Sequence, residues 1–417
     1  DRYNKGDLLT NINCKRSDVS YCIYSKNYDY DSKGRLYMFS NQSASESNGS
    51  GENNAYYTYD ANDNITKISV NNGLNTTYSY NDANLLTSLV NKKDTSTLSS
   101  YSYYYNLDGN MNRKVENGNA TTYTYDYTGR LKAENMTRNG VTTNMSYTYD
   151  NAGNRKSLEV TGAENYVTTY SYDNNNRLLT TRNKKDNQSY TDTVIYTYDN
   201  NGNQIRKDSS RQSTAMSGKP ETGFYSSGDN SGFGYEKFTY NGFNQLTKYE
   251  DENLNTAEYI YWSSGLRHSK SVNGVKTSYI WDGDQLVMEV KADETRSYAK
   301  APGYMRTGTS KEFNGIIRND KFYLFNGHGD VTALTSSNGV ISKTYEYDAF
   351  GNEVNPSSND FNPFRYCGEY YDNETESIYL RARYYNPSIG RFTTEDPIKD
   401  GLNWYAYCGG NPVMFCD

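Results

Sequence analysis

The sequence predicts an all-β protein in which successive β-hairpins lie side by side in one continuous curved sheet. Three observations indicate this class: 46 tyrosines among 417 residues, a short motif that recurs along the chain, and Asn- and Gly-rich turns after each copy. Tyrosine favours strands, and its ring with a polar tip can replace aliphatic residues on a half-buried sheet. The tyrosine content therefore outweighs the hydrophobic content of 34%, which alone would indicate disorder.

The recurring unit reads Tyr-x-Tyr-Asp/Asn, then a turn, then Arg, Asn or Gln before a short apolar segment. Its second tyrosine falls at positions 59, 80, 105, 125, 149, 172 and 198, in steps of 21, 25, 20, 24, 23 and 26 residues. Steps of this length fit one β-hairpin each. Clear copies of the unit begin at Tyr28, Tyr57, Tyr123, Tyr147, Tyr170 and Tyr196.

The residue types of the unit have a physical explanation. Strand side chains alternate, so both rings of Tyr-x-Tyr project to the same face. The Asp or Asn that follows can accept a hydrogen bond from its own backbone two residues on, and a glycine such as Gly129 supplies a positive φ. Because a single hairpin leaves one face unburied, neighbouring hairpins must join into a continuous, twisted sheet.

Breaks in the rhythm divide the chain. We assign residues 1–298 to a hairpin array and residues 299–417 to a distinct C-terminal region. Loop-like composition predicts insertions near residues 32–54 and 208–234. No helix is required by the sequence, although residues 359–364 are compatible with a short one.

Composition excludes several classes of protein. The net charge of −7 disfavours a nucleic-acid or anionic-membrane partner, and the chain has no apolar run long enough for a membrane span. The opening residues resemble the middle of a repeat rather than a signal peptide, so we expect a segment of a longer protein. None of the five cysteines has zinc-site spacing; we favour buried or free thiols, with a Cys14–Cys22 disulfide as the alternative.

The C-terminal run from Arg365 to Asp417 has no repeat period of its own. Its order of residues resembles the core of the Rhs/YD-repeat family, which includes polymorphic toxins, insecticidal toxin C-components and teneurin-like shells. The Tyr-Asp units are a second point of resemblance. The family implies a spiral of YD-repeat hairpins that walls off a hollow shell and is closed by the C-terminal Rhs core. The matching segments are residues 368–375, 379–387, 390–392, 396–397, 403–407 and 411–412.

The resemblance also implies a site. In self-cleaving members the core is an intramolecular aspartyl protease that cuts just after itself and frees a C-terminal segment, commonly a toxin. Matched residue by residue, the catalytic candidates are Arg383 of R-x-R-Y-Y, Asp396 of the first D-P and Asp417 at the second. Lys399 stands where the D-P-x-G motif usually has glycine, and the sequence ends before a second Pro-x-Gly. Asp400 is a weaker substitute for the second carboxylate.

The chemistry requires two carboxylates close together. Two such groups share a proton, so that one can activate water while the other protonates the scissile carbonyl. An adjacent guanidinium would fix which carboxylate stays charged. A structural alternative remains open: Asp396 caps a turn, Arg383 pairs with Glu369 or Asp372, and Asp417 is a frayed end.

Other candidate sites are weaker. His268 and His328 are the only histidines and no G-x-S-x-G element accompanies them, so a serine triad is disfavoured. Residues 327–330 are predicted to form a turn. Residues 60–64 resemble a calcium loop but lack its terminal glutamate, so a turn is favoured there too. The tyrosine stripe could stack on sugars, but its regularity favours a role within the fold.

We therefore expect a secreted or cell-surface YD-repeat shell that encapsulates a C-terminal toxin or effector and releases it by autoproteolysis. The expected partner is that C-terminal segment, with surface glycans or a delivery apparatus as further candidates. No cofactor, metal, nucleic acid or membrane span is expected. The alternatives are a non-cleaving adhesin or glycan-binding repeat protein, and a structural spacer.

Overall fold

The computed structural model describes seven ranges of the chain. Residues 44–53 of the first predicted insertion (32–54) and residues 214–233 of the second (208–234) lie outside these ranges, and so do the side chains of Cys14 and Cys22. The described ranges are residues 2–3, 8–15, 22–43, 54–213, 234–311, 320–357 and 360–417.

In the described residues, 29 strands form a single antiparallel sheet. Each strand pairs with the one that follows it in the chain, from the first pair through to the last. The first fifteen strands are β1 (Arg2–Tyr3), β2 (Leu9–Lys15), β3 (Cys22–Tyr30), β4 (Leu36–Ser43), β5 (Ala55–Tyr59), β6 (Ile65–Val70), β7 (Leu74–Tyr80), β8 (Leu86–Lys93), β9 (Ser96–Tyr105), β10 (Met111–Glu116), β11 (Asn119–Tyr125), β12 (Leu131–Arg138), β13 (Val141–Tyr149), β14 (Arg155–Thr161) and β15 (Tyr166–Tyr172). The others are β16 (Leu178–Lys185), β17 (Tyr190–Tyr198), β18 (Gln204–Ser213), β19 (Gly234–Tyr240), β20 (Leu246–Asp251), β21 (Thr256–Tyr261), β22 (Arg267–Val272), β23 (Val275–Asp282), β24 (Gln285–Val290), β25 (Glu294–Ala301), β26 (Tyr304–Lys311), β27 (Lys321–Phe325), β28 (Val331–Thr335) and β29 (Ile341–Thr344).

The turn of each unit is closed by its Asp or Asn. Asp126 Oδ1 accepts the backbone N–H groups of Thr128 at 2.9 Å and Arg130 at 3.0 Å, while Oδ2 accepts Arg130 Nε at 2.7 Å. Gly129, with φ +83°, donates its N–H to the Asp126 carbonyl at 3.0 Å. A side chain other than glycine is strained at such a φ. The turn chemistry inferred from the sequence is thus present.

The two tyrosines of each unit make different contacts. The first is buried against the sheet in most units, as Tyr147 is with 3% of its surface exposed, whereas Tyr28 is half-buried. The second reaches across to the preceding hairpin: the Tyr149 hydroxyl donates to the Leu131 carbonyl at 2.8 Å. Successive hairpins are therefore joined by a tyrosine hydrogen bond as well as by the strand ladder. The same bond joins Tyr30 to Leu9, Tyr59 to Leu36, Tyr80 to Ile65, Tyr105 to Leu86, Tyr125 to Met111, Tyr172 to Arg155 and Tyr261 to Leu246.

The C-terminal region adds a second, four-stranded antiparallel sheet. Its aromatic side chains pack against buried tyrosines of the large sheet and against each other, with the rings of Tyr385 and Tyr407 stacked 3.8 Å apart. This sheet and the coil after it form what we call the core, residues 365–417. Its elements are the 3-10 helix η1 (Tyr366–Gly368), β30 (Tyr370–Asp372), β31 (Ser377–Leu380), β32 (Arg383–Asn386), β33 (Arg391–Phe392) and the 3-10 helix η2 (Cys408–Gly410).

The all-β prediction and the continuous curved sheet of hairpins are confirmed. The large sheet runs on to Thr344, and the boundary at residue 298 stays a prediction. Residues 360–364 are not helical, whereas residue 359 lies outside the described ranges. The described residues contain no helix with the length and apolarity needed to cross a bilayer.

Candidate functional site

A buried charge cluster joins the core to the large sheet. Arg267 at the start of β22 donates a hydrogen bond to Asp372 Oδ2 at the end of β30. Lys270 Nζ lies 2.7 Å from the other Asp372 oxygen and 3.0 Å from Glu374. Burial raises the pKa of the Asp372 carboxyl, but the two cations outweigh it and hold that pKa below its usual value. These buried ion pairs attach the core to strand β22 of the large sheet.

A second set of contacts joins the core to the turns of three consecutive repeat units. Arg391 donates to Asn154 Oδ1 at 2.7 Å and to the Asn176 carbonyl at 2.5 Å. The Tyr405 hydroxyl donates to the Gly202 carbonyl at 2.7 Å. Two residues of the Rhs-like motif thus bind the turn edge of the large sheet.

Arg383 is the first residue of β32, just after a tight hairpin turn in which Arg381 has φ +57°. Its guanidinium lies 3.5 Å from the centre of the Phe392 ring, and Nη1 donates to the Trp404 carbonyl at 3.3 Å. Cation–π contact and a carbonyl partner fix the direction of the side chain. Burial lowers the pKa of Arg383, although two nearby carboxylates oppose the shift.

Those carboxylates are the two predicted aspartates. Arg383 Nη1 lies 3.9 Å from Asp396 Oδ2, and Nη2 lies 3.6 Å from Asp417 Oδ2. The side chains of Arg383 and Asp396 are 13% and 15% exposed, whereas that of Asp417 is 39% exposed. The structure thus places one guanidinium between the two carboxylates that the sequence singles out.

Asp396 also shapes its own turn. Its Oδ1 accepts the N–H of Ile398 at 3.0 Å, its backbone N–H donates to the Trp404 carbonyl at 3.1 Å, and its other carboxylate oxygen faces Arg383. The turn-capping alternative and the ion pair are therefore both present. The alternative pairing of Arg383 with Glu369 or Asp372 is not seen. Glu369 pairs with Arg381, and Asp372 pairs with Arg267.

A cavity of about 380 Å³ opens beside this group. Its lining includes Arg383 and Asp417 of the core and Asp284 of the β23–β24 turn. Charged side chains of both signs face the space, including Lys300 and Glu369. Of the two candidate aspartates, Asp417 lines the cavity, whereas Asp396 lies behind Arg383 and is not part of the lining.

A cluster that sequence reasoning missed lies near the end of the core. His328 Nε2 is 3.3 Å from Cys416 Sγ, and His328 Nδ1 is 3.9 Å from Cys367 Sγ. His328 Nδ1 also lies 2.9 Å from Asp330 Oδ1. A hydrogen bond from Cys367, together with His328, lowers the pKa of the Cys416 thiol to about 6. The residues are separated by tens of positions, so no spacing motif marks them; residues 327–330 do form the predicted turn.

Comparison with known families decides what this chain is. The teneurin YD-shell family matches residues 142–413, which is more than half of the chain, and the RHS repeat matches residues 59–97. The chain belongs to the teneurin YD-shell family. This agrees with the Tyr-Asp turns and the Rhs-like core described above.

Curated relatives of this YD-shell chain include much longer proteins. The tRNA3(Ser)-specific nuclease WapA of Bacillus spizizenii is 31% identical over 375 residues, which cover 87% of this chain and 14% of WapA. The tRNA nuclease WapA of Bacillus subtilis is 32% identical over 373 residues, with the same shares. The double-stranded DNA deaminase toxin A of Burkholderia cenocepacia is 25% identical over 223 residues, 44% of this chain and 15% of the toxin. The YD-shell chain thus spans about one seventh of the WapA proteins.

Solved structures also align with the YD-shell chain. The crystal structure of TcdB2-TccC3-Cdc42 aligns with 100% of this chain and 26% of its own, at 18% identity and a TM-score of 0.49. The crystal structure of TcdB2-TccC3 without its hypervariable C-terminal region gives the same identity and TM-score, with 100% and 25% coverage.

Proposed function

We propose that this YD-shell chain encapsulates a C-terminal toxin or effector segment of its parent protein and that its core cleaves the chain to release that segment. The observation that carries the proposal is the position of Arg383, whose guanidinium lies between Asp396 and Asp417 at 3.9 and 3.6 Å. Two carboxylates that share one guanidinium, with Asp417 lining a cavity, are the kind of groups that aspartyl proteolysis requires.

The proposed reaction uses each group in a stated role. One aspartate takes a proton from a water molecule, which attacks the scissile carbonyl carbon, and the other gives a proton to the carbonyl oxygen. Arg383 offsets the repulsion between the two carboxylates and holds their orientation. Collapse of the tetrahedral intermediate breaks the C–N bond, and the amine leaves with the proton returned by the first aspartate.

The nature of the effector is inferred from the relatives. WapA proteins are tRNA nucleases, whereas the Burkholderia relative is a double-stranded DNA deaminase toxin. Similar shell sequences therefore occur in proteins with different named activities. We infer that the activity resides in a separate, exchangeable segment, and that the parent protein is secreted and handed to a delivery apparatus.

The adhesin alternative has less support. Its stacking surface would be the tyrosine stripe, but the first tyrosine of most units is buried against the sheet, as at Tyr147 and Tyr196. A buried ring is not presented to a glycan outside the sheet. Within the described ranges, these first tyrosines therefore do not form the exposed aromatic row that glycan binding by the stripe would require.

The test uses the parent protein with its downstream segment, separated on a denaturing gel. The unchanged protein is expected to give two bands, with Asp396→Asn and Asp417→Asn each giving a single full-length band. Asp82→Asn, at an exposed carboxylate in the β7–β8 turn, is the control and should still give two bands. A single band from the unchanged protein, or two bands that both aspartate variants leave intact, would refute the proposal.

A further inference from the structure

Three side chains from distant segments converge near the end of the core. His328 comes from the β27–β28 turn, Cys367 from η1, and Cys416 from the coil after η2. Their donor atoms all lie within 4.8 Å of one another. One imidazole and two thiols form a donor set typical of zinc, which binds nitrogen and sulfur ligands.

The spacing of the donors is close to that of a tetrahedral zinc site. Zinc–sulfur and zinc–nitrogen bonds of about 2.3 and 2.0 Å place adjacent sulfur and nitrogen ligands about 3.5 Å apart. Cys416 Sγ lies 3.3 Å from His328 Nε2, and Cys367 Sγ lies within 4.8 Å of the Cys416 sulfur and of the imidazole donor. The Cys367 side chain would turn towards Nε2 to bring the third donor to these distances.

Asp330 orients two of the three donor residues. Its Oδ1 lies 2.9 Å from His328 Nδ1, which leaves Nε2 directed at Cys416, and the same oxygen accepts the Cys367 backbone N–H at 2.9 Å. The Asp330 side chain is itself held by Asn326, whose Nδ2 donates at 2.7 Å. A carboxylate behind a ligating histidine is a common feature of metal sites, where it sets the tautomer and the ring direction.

We propose that His328, Cys367 and Cys416 bind one zinc ion, with water in the fourth position. Cys416 is exposed, so the ion can reach the site from solvent. The bound ion joins the last described residues to the β27–β28 turn and to η1. Because Cys416 directly precedes Asp417, the ion would also hold that aspartate near Arg383. The significance of this second effect rests on the proposed function, whereas the metal site itself does not.

The test measures metal binding directly, with no cleavage readout. The reduced, metal-stripped chain is titrated with cobalt(II), followed by zinc, and the zinc retained after desalting is measured by plasma mass spectrometry. The expected result is one metal per chain, with a thiolate-to-cobalt charge-transfer band and the visible bands of tetrahedral cobalt that zinc abolishes. Binding should be lost in Cys416→Ser and in His328→Asn, with circular dichroism of both variants unchanged.

Two variants provide matched controls. Cys408→Ser removes a neighbouring thiol whose Sγ donates to the Phe415 carbonyl instead, and His268→Asn removes the other histidine, which lies against Trp262. Both should bind metal as the unchanged chain does. The assignment would be overturned by any of three results: absence of stoichiometric metal, binding that survives Cys416→Ser, or a Cys367–Cys416 disulfide in the purified protein. None of these results bears on the proposed role of Asp396 in cleavage.

Discussion

Arg267 and Asp372, which lie 105 positions apart in the sequence, form a hydrogen-bonded ion pair with both side chains almost fully buried. The guanidinium carbon lies 4.4 Å from the centre of the Tyr379 ring and 4.8 Å from that of Tyr279. The pair therefore joins a strand of the large sheet to the first strand of the core within an aromatic environment. Because both charges are removed from water, loss of one would leave the other buried and unpaired, which is strongly destabilising.

Asp372→Asn should lower the free energy of unfolding by about 3–5 kcal/mol, because it leaves two buried cations without their shared carboxylate. Urea denaturation followed by tyrosine fluorescence measures the change. The control is Asp63→Asn, at an exposed carboxylate that pairs with Arg35 and Lys33; its loss should cost about 0–1 kcal/mol. Equal effects of the two substitutions would contradict the structural role given to the buried pair.

The tyrosine bond between hairpins gives a second prediction. Tyr149→Phe removes the hydroxyl that donates to the Leu131 carbonyl at 2.8 Å and should destabilise the protein by about 1 kcal/mol. Tyr127→Phe, at a ring that is 96% exposed, should leave the denaturation midpoint unchanged. If the two phenylalanine variants unfold at the same urea concentration, the hydrogen bond from Tyr149 to Leu131 contributes nothing to the stability of the fold.

Lys399 gives a third prediction, at the position where the D-P-x-G motif usually has glycine. Its φ is +53°, a conformation that costs a non-glycine residue about 1 kcal/mol. Its ammonium group also lies 4.6 Å from the Trp404 ring and 3.7 Å from Glu395. Lys399→Ala loses those contacts and keeps the strained φ, whereas Lys399→Gly loses the contacts and relieves it.

The glycine variant should therefore be more stable than the alanine variant by about 1 kcal/mol in matched thermal or urea unfolding. An alanine variant as stable as the glycine variant would show that the turn does not hold a positive φ in solution.

The parts of the fold that local chemistry determines could be predicted from the sequence. The turn at Asp126 follows from residues four positions apart, and the inward tyrosines follow from the two-residue period of a strand. The bond from Tyr149 to Leu131 was not predicted, because it depends on how far one hairpin is offset from the next.

The candidate site was predictable only in part, for a similar reason. Arg383, Asp396 and Asp417 were found through a motif resemblance, and the turn-capping role of Asp396 followed from its neighbour Pro397. Clusters built from separated segments carry no local signal. His328 and Cys416 lie 88 positions apart and meet only because the core folds back over the β27–β28 turn.

A buried carboxylate gives the last prediction, a pH dependence of stability. Glu134 on β12 is buried, and its Oε2 accepts the Ala349 N–H at 2.9 Å. Burial, with a smaller contribution from the Asp348 carboxylate, raises the pKa of Glu134 from 4.5 to about 8. The folded protein therefore holds a proton that the unfolded chain loses, and the free energy of unfolding should fall as pH rises from about 4.5 to about 8.

Glu134→Gln keeps an oxygen for the Ala349 N–H and removes the ionisable group, so it should remove the part of this fall that Glu134 contributes. The Asp348 carboxyl, whose pKa burial also raises, keeps its own part. The variant should be more stable than the unchanged protein near pH 8, and the difference should shrink towards acid pH. Urea denaturation over this pH range measures both curves. Glu164→Gln, at an exposed glutamate paired with Lys185, is the control. Its free energy of unfolding plotted against pH should run parallel to that of the unchanged protein. If the Glu134→Gln curve also runs parallel, the proton is not held in the folded state, because a group with equal pKa values in both states adds no slope.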